Sequence, residues 1–192
     1  YDPFFAEIDI TPETDEEARE LVAVAQEFAD RCVSANDGLA EFVGTNNSAR
    51  DMDVLRRALG EDTISYFGFS YGSELGATWA TLFPEPVRAA VLDGAADPNA
   101  DGLGSALQQL EGFEASLSTF LARCSADATC PFHNGGDAEG AFDALMTSLD
   151  ENPAPTSNGR PPANLAVAIN GVIEAMYSDS YWPRLERALA AA

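Results

Sequence analysis

Lysine is absent from these 192 residues, and the ten basic residues are all arginine, set against 32 acidic ones. A net charge of −22 repels phosphate backbones, which argues against nucleic acid as a partner. The same charge argues against an anionic membrane surface. Histidine is almost missing too: His133 is the only one. Three scattered cysteines, Cys32, Cys124 and Cys130, complete a donor set without the paired spacing of a zinc site, so no metal is expected. No stretch approaches the ~18 apolar residues of a membrane span. The opening YDPFFAEIDI is not a signal peptide, and whatever preceded it is expected to have been removed. The acidic balance speaks first to solubility; the chemistry it favours is attraction of cationic groups, such as the free amino end of a peptide.

The remaining composition, 46% hydrophobic and 22% charged, is that of a globular chain. Cys124 and Cys130 enclose the loop SADAT, a spacing suited to a local disulfide. Cys32 is left over, either a free or externally paired thiol or a small buried hydrophobe on a helix.

Thr14 and Glu17 form a capping-box pattern, and Leu21, Ala25, Phe28 and Cys32 follow at helical spacing, predicting a helix to about residue 33. A second helix is expected over 48–59, burying Met52, Leu55 and Leu59 and ending at Gly60. TISYFGF, residues 63–69, reads as a buried strand and VRAAVLD, residues 87–93, as another. A helix over 72–83 lies between them, stopped by Pro84 and Pro86. Helix, strand, helix, strand implies parallel strands with a crossover helix. The character changes after Asp93: GAADPNADGLG is a loop, and helices are expected over 105–124, 138–149, 164–177 and 183–192. Leu107, Leu110, Phe113, Leu117 and Leu121 share one face of the first of these. The expected organisation is a partial α/β core over 1–104 and a helical cap over 105–192. Two strands leave two open edges, so much of the sheet is expected to lie outside this sequence.

The first strand runs directly into Gly68-Phe69-Ser70-Tyr71-Gly72, and a helix follows. This is G-x-S-x-G in the strand–turn–helix setting of a nucleophile elbow, the hallmark of a serine hydrolase of α/β-hydrolase type. With 15 glycines and 13 serines, chance supplies the pattern in roughly 0.08 of such chains before that setting is required. Ser70 is the nucleophile in this reading, and the backbone N–H of Tyr71 is an oxyanion donor at a helix start. Glu74, in the first helical turn, answers either the helix dipole or a substrate amino group. A serine needs a base. His133 follows in chain order but sits in the loop CPFHNGG, so it is a candidate base or simply a loop residue. Asp93, at the end of the second strand, is a candidate acid or the start of an Asp-Gly turn. Phe113, Phe120, Tyr177, Tyr181 and Trp182 either pack the cap or line a pocket, and Trp79 reads as packing.

The stretch from ARDMDVLRRALG through TISYFGFSYGSELGATWATLFPEPVRAAVLDGAADP resembles the exported tripeptidyl aminopeptidase and proline iminopeptidase-like branch of the α/β-hydrolases. FLARCSADATCPF and GVIEAMYSDSYWPRLERALAAA extend the resemblance into the cap. It implies an eight-stranded sheet, in which TISYFGF is the fifth strand and VRAAVLD the sixth, with a cap inserted after the sixth. It also implies Ser70 as nucleophile, Tyr71 N–H as oxyanion donor, no metal or organic cofactor, and a substrate with a free peptide N-terminus. Nothing here matches that family's Gly-rich oxyanion loop, and its acid and histidine come from later strands, beyond the cap. Cys32 would have its partner upstream. The resemblance therefore implies a segment of an exported aminopeptidase, expected to be nearly inert by itself because it lacks triad members. Other expectations from the same residues are a non-catalytic module that pairs with a complementary chain or a second copy, and an esterase on the same fold.

Overall fold

A computed structural model describes residues 7–95, 97, 101–156 and 159–192. Among them are helices α1 (Asp15–Ser34), α2 (Thr45–Ala58) and α3 (Tyr71–Leu82), and strands β1 (Ile64–Phe69) and β2 (Val87–Asp93). Helices α4 (Gly102–Ala126), α5 (Ala138–Glu151), α6 (Leu165–Met176) and α7 (Trp182–Leu189) follow. The chain forms two compact units: Arg31–Gln108, and the described residues of Tyr1–Asp30 together with Gln109–Ala192. Residues up to Asp30 thus group with the later helices rather than with the strands. The proposed boundary near residue 104 lies inside α4, and Pro98 of the connecting loop is outside the described residues.

In the first unit β1 and β2 pair in parallel, with Ser65 opposite Ala89 and Phe69 opposite Asp93. A parallel pair needs a crossover, and α3 supplies it, packing on both strands and on α2. Trp79 is fully buried on α3, and its ring lies 6.2 Å from that of Tyr66 on β1. Tyr66 needs room. A Cβ on Gly76 would run into its ring, and one on Gly68 would meet both that ring and the Gly72 backbone. Glycines at 68, 72 and 76 therefore form a slot for one aromatic side chain.

Two burial expectations are corrected here. β1 is not buried on both faces: Gly68 is buried, but Phe67 (59%) and Phe69 (61%) are exposed, because α3 covers only one face. In α2 the buried residues are Ala49 and Asp53; Met52 is half-buried, while Leu55 (63%) and Leu59 (76%) are exposed. The helix packs against α3, and its leucines stay on an exposed side. Asp53 tolerates burial because Arg56 and Arg57 pair with it at 2.8 and 3.0 Å. Cys32 is likewise exposed, with a free thiol, and is not a core residue.

In the second unit the capping box on α1 forms as expected: Glu17 N–H donates to Thr14 Oγ1, and Thr14 N–H to Glu17 Oε2. The Thr14 hydroxyl, which donates to the same carboxylate, holds the Glu17 carboxyl below the usual range, and the Thr14 and Glu13 amides add to it. Phe120, Leu121, Phe142, Val172, Met176, Trp182, Leu185 and Leu189 form the core of the unit, closed by the Cys124–Cys130 disulfide. On α4 only the C-terminal part of the expected stripe is covered: Leu121 is buried, Phe113 and Leu117 are half-buried, and Leu107 and Leu110 are exposed. Among the described residues, no helix is long and apolar enough to cross a membrane.

The glycine slot is testable. Gly76→Ala forces a methyl into the Tyr66 ring and should cost about 1–3 kcal/mol, read from the urea midpoint at unchanged slope. A change under about 0.5 kcal/mol would mean the ring has space that the structure does not show.

Candidate active site

Ser70 terminates β1 and occupies the N-cap position of α3, with φ 49° and ψ −122°. A positive φ is rare for a residue with a Cβ and costs energy, so the surroundings must impose it. They do so through the backbone. Ser70 N–H donates to Asp93 O at 2.9 Å, carrying the parallel ladder one residue past the strand into the turn. The Ser70 carbonyl accepts from Ser73 N–H at 2.7 Å and from Ser73 Oγ at 2.6 Å. A serine at an N-cap ordinarily folds its hydroxyl onto the helix N-terminus. Ser70 makes no such capping bond and is exposed, so its hydroxyl remains available to an incoming group.

Tyr71 opens α3, and its N–H is one of the amides at a helix start that have no intrahelical partner. That is the placement an oxyanion donor requires. The Tyr71 side chain leans toward α2, its hydroxyl 2.9 Å from Thr45 Oγ1. Glu74 is half-buried in the first turn of α3. Asp93 is exposed at the end of β2, and its carbonyl is the acceptor for Ser70 N–H. The following Gly94 has φ +63°, which turns the chain away beside the elbow. Ser70, Tyr71, Glu74 and Asp93 therefore belong to one unit.

His133 belongs to the other unit. Its Nδ1 lies 3.0 Å from Cys124 O, and its backbone N–H donates to Cys130 O, fixing it to the disulfide loop. Nearby Asp127 is held below the usual carboxylate range, first by the Thr129 hydroxyl and amide and then by the His133 charge. Of the aromatic candidates, Phe120 and Trp182 are core residues in edge contact, and Arg123 lies over the Trp182 ring. Tyr177 is exposed and accepts from Gln109, while Tyr181 lines an open apolar cavity of ≈ 340 Å³ with Leu145, Val167 and Leu185. No group of three or more metal-binding side chains is assembled among the described residues.

Sequence reasoning missed Tyr66 and Ser73. The Tyr66 hydroxyl donates to Gly72 O at 2.6 Å, so β1 grips the elbow from below. The signal was available only as glycines at intervals of four, which reads as helix packing until the ring is seen.

A parallel pair joined by a crossover helix, with a strained serine at the strand–helix turn, defines the serine-hydrolase elbow on an α/β scaffold. A family model described as alpha/beta hydrolase fold matches residues 13–134, and the chain belongs to that family. It is 37% identical over 175 residues to "Serine protease Hip1" of Mycobacterium tuberculosis, which covers 86% of this chain and 33% of that protein. It is 40% identical over 93 residues to "Tripeptidyl aminopeptidase" of Streptomyces lividans, 48% of this chain and 17% of that protein. "Carboxylesterase B" of M. tuberculosis is 39% identical over 150 residues, 77% of this chain and 28% of that protein. The chain is thus a peptidase-like α/β-hydrolase in sequence, and it spans a third or less of the length of these curated relatives.

Burial pushes the Tyr66 phenol above its ordinary range, with a smaller push from Tyr71. The unfolded chain then loses this proton first as pH rises, so Tyr66 favours unfolding above the ordinary tyrosine pKa and is neutral below it. Tyr66→Phe should flatten that alkaline fall in stability in urea titrations run across high pH, and should cost about 1 kcal/mol at neutral pH through the lost bond to Gly72 O. An identical alkaline slope in both proteins would show that Tyr66 contributes nothing to it.

Proposed function

We propose that the chain is the nucleophile-bearing segment of an exported serine aminopeptidase that releases short peptides or single residues from free peptide N-termini. The carrying observation is the strained, exposed Ser70 at the head of α3 with the Tyr71 N–H beside it. Ser70 attacks the scissile carbonyl, its proton passes to a base, and the oxyanion forms against Tyr71 N–H. The amine leaves with a proton, and water then hydrolyses the acyl-enzyme at Ser70. The base and the acid are assigned to parts of a longer enzyme, in keeping with the chain's third-or-less share of its relatives. His133, tethered to Cys124 O, is read as a loop residue, and Asp93 as the backbone anchor of the elbow. Glu74 is assigned to the substrate ammonium, which the acidic chain also attracts. The helices of 105–192 are assigned as the cap over the substrate. The Cys124–Cys130 disulfide supports an oxidising, extracytoplasmic setting.

An esterase on the same scaffold is the second reading, favoured by the carboxylesterase relative. A third is a non-catalytic module that pairs with a complementary chain or a second copy, favoured by the exposed Phe67, Phe69, Val91 and Leu92 on the strands.

In the full-length enzyme a fluorophosphonate probe should label stoichiometrically by intact mass, and Ser70→Ala should abolish the label. The 192-residue chain alone should react about 10⁴-fold or more slowly, as enzymes lacking a triad member do. Absence of Ser70 labelling in the full-length protein would leave the assembly module as the better reading. Separately, Glu74→Gln should raise KM for free-amine peptides about tenfold, the worth of one charge-assisted hydrogen bond, and leave N-acetylated esters unaffected. Equal KM changes on both substrates would remove Glu74 from amine recognition.

A further inference from the structure

We infer that Ser73 is a positioning residue for the oxyanion donor: its hydroxyl holds the carbonyl end of the peptide unit whose other end is the Tyr71 N–H. The inference rests on the reading of Ser70 as the nucleophile. The peptide between Ser70 and Tyr71 is trans, as are all described peptides, so its C=O and N–H point in opposite directions within one plane. Whatever fixes the carbonyl aims the amide. Here the Ser70 carbonyl receives two donors from one residue, Ser73 N–H at 2.7 Å and Ser73 Oγ at 2.6 Å.

Serine and threonine hydroxyls often bond back onto their own helix merely to satisfy themselves. Thr81, Thr119 and Thr147 do this, each onto the carbonyl four residues earlier, at 2.8–2.9 Å. Ser73 differs in three respects. Its target is the carbonyl of the strained residue outside the helix, at φ 49°. It is 1% exposed, so water does not compete for the hydroxyl. Its Oγ also lies 3.5 Å from Gly94 O, next to Asp93, whose carbonyl holds Ser70 N–H. The hydroxyl carries one proton and donates it to the nearer acceptor, the Ser70 carbonyl, while the backbone just after β2 lies beside it. A hydrogen bond donated to a peptide carbonyl also polarises the N–H of the same unit, strengthening it as a donor. When charge develops on the substrate oxygen, the donor is already aimed and needs no reorganisation.

The test is Ser73→Ala, which removes one atom, in the full-length enzyme that carries this chain. Fluorophosphonate inactivation is resolved into its limiting rate constant and the probe concentration for half-maximal rate, because the phosphoryl oxygen enters the same hole. We expect the limiting rate constant to fall about tenfold, less than the 10²–10³ for deleting a donor outright, with the half-maximal concentration unchanged. A second readout does not depend on reactivity. Labelling Ser with ¹³C at the carbonyl and Tyr with ¹⁵N isolates the Ser–Tyr pairs 65–66, 70–71 and 180–181 of this sequence. The Ser70 carbonyl should move upfield in the variant, toward a less bonded state, while the other two stay in place as references. An unmoved Ser70 carbonyl with an unchanged limiting rate constant overturns the proposal, as does a loss confined to probe binding or matched by general loss of folded protein. If wild-type Ser70 does not react, the nucleophile reading falls, and the carbonyl shift alone decides whether Ser73 holds the peptide.

Discussion

The arrangement of the strand unit turns on the bond from Ser70 N–H to Asp93 O. A parallel ladder ordinarily ends where its strands end. Here it continues one residue into a turn that an ordinary side chain avoids, so the energy of the sheet is applied to holding Ser70 at positive φ. Everything around the turn serves that geometry. Ser73 bonds to the Ser70 carbonyl, Tyr66 holds Gly72 O, and Gly94 bends β2 away at the point where a side chain would be strained. The result is a hydroxyl that is exposed and a helix-start amide beside it.

Fixing that turn requires close approach, and close approach requires glycine. Gly68 lets the Gly72 backbone pass, and Gly76 admits the Tyr66 ring. The motif glycines and the later one are therefore parts of one packing solution, not separate features. The opposite side of the strands is different: Phe67, Phe69 and Val91 present apolar surface that no described residue of the unit covers fully. Parallel sheets are ordinarily covered on both faces. That surface agrees with a chain spanning a third or less of its relatives.

The helical unit is stabilised by other means. Aromatic edge contact between Phe120 and Trp182, a cation over the Trp182 ring, and the disulfide between Cys124 and Cys130 surround a core drawn from α4 to α7. His133 is part of this framework through Cys124 O, which is why a lone histidine in correct chain order for a triad has a structural account of its own.

Much was legible before any coordinates. The β-branched and aromatic run of TISYFGF, the capping pair Thr14 and Glu17, the G-x-S-x-G spacing, and the six-residue cysteine interval are local signals, and local signals fix local geometry. They placed both strands, the crossover helix, the elbow at Ser70 and the disulfide. Burial was another matter. Leu55 and Leu59 carry a correct helical period but are exposed, and the positions that α2 buries are Ala49 and Asp53. Ser73 and Tyr66 look ordinary in sequence, and their importance comes from atoms brought near them by the fold: the carbonyls of Ser70, Gly72 and Gly94. The sequence by itself determined which backbone conformation each segment takes and where the strained serine stands. Only the tertiary structure decided which side chains hold it there, because hydrogen bonds to backbone carbonyls depend on distances between segments that no periodicity encodes.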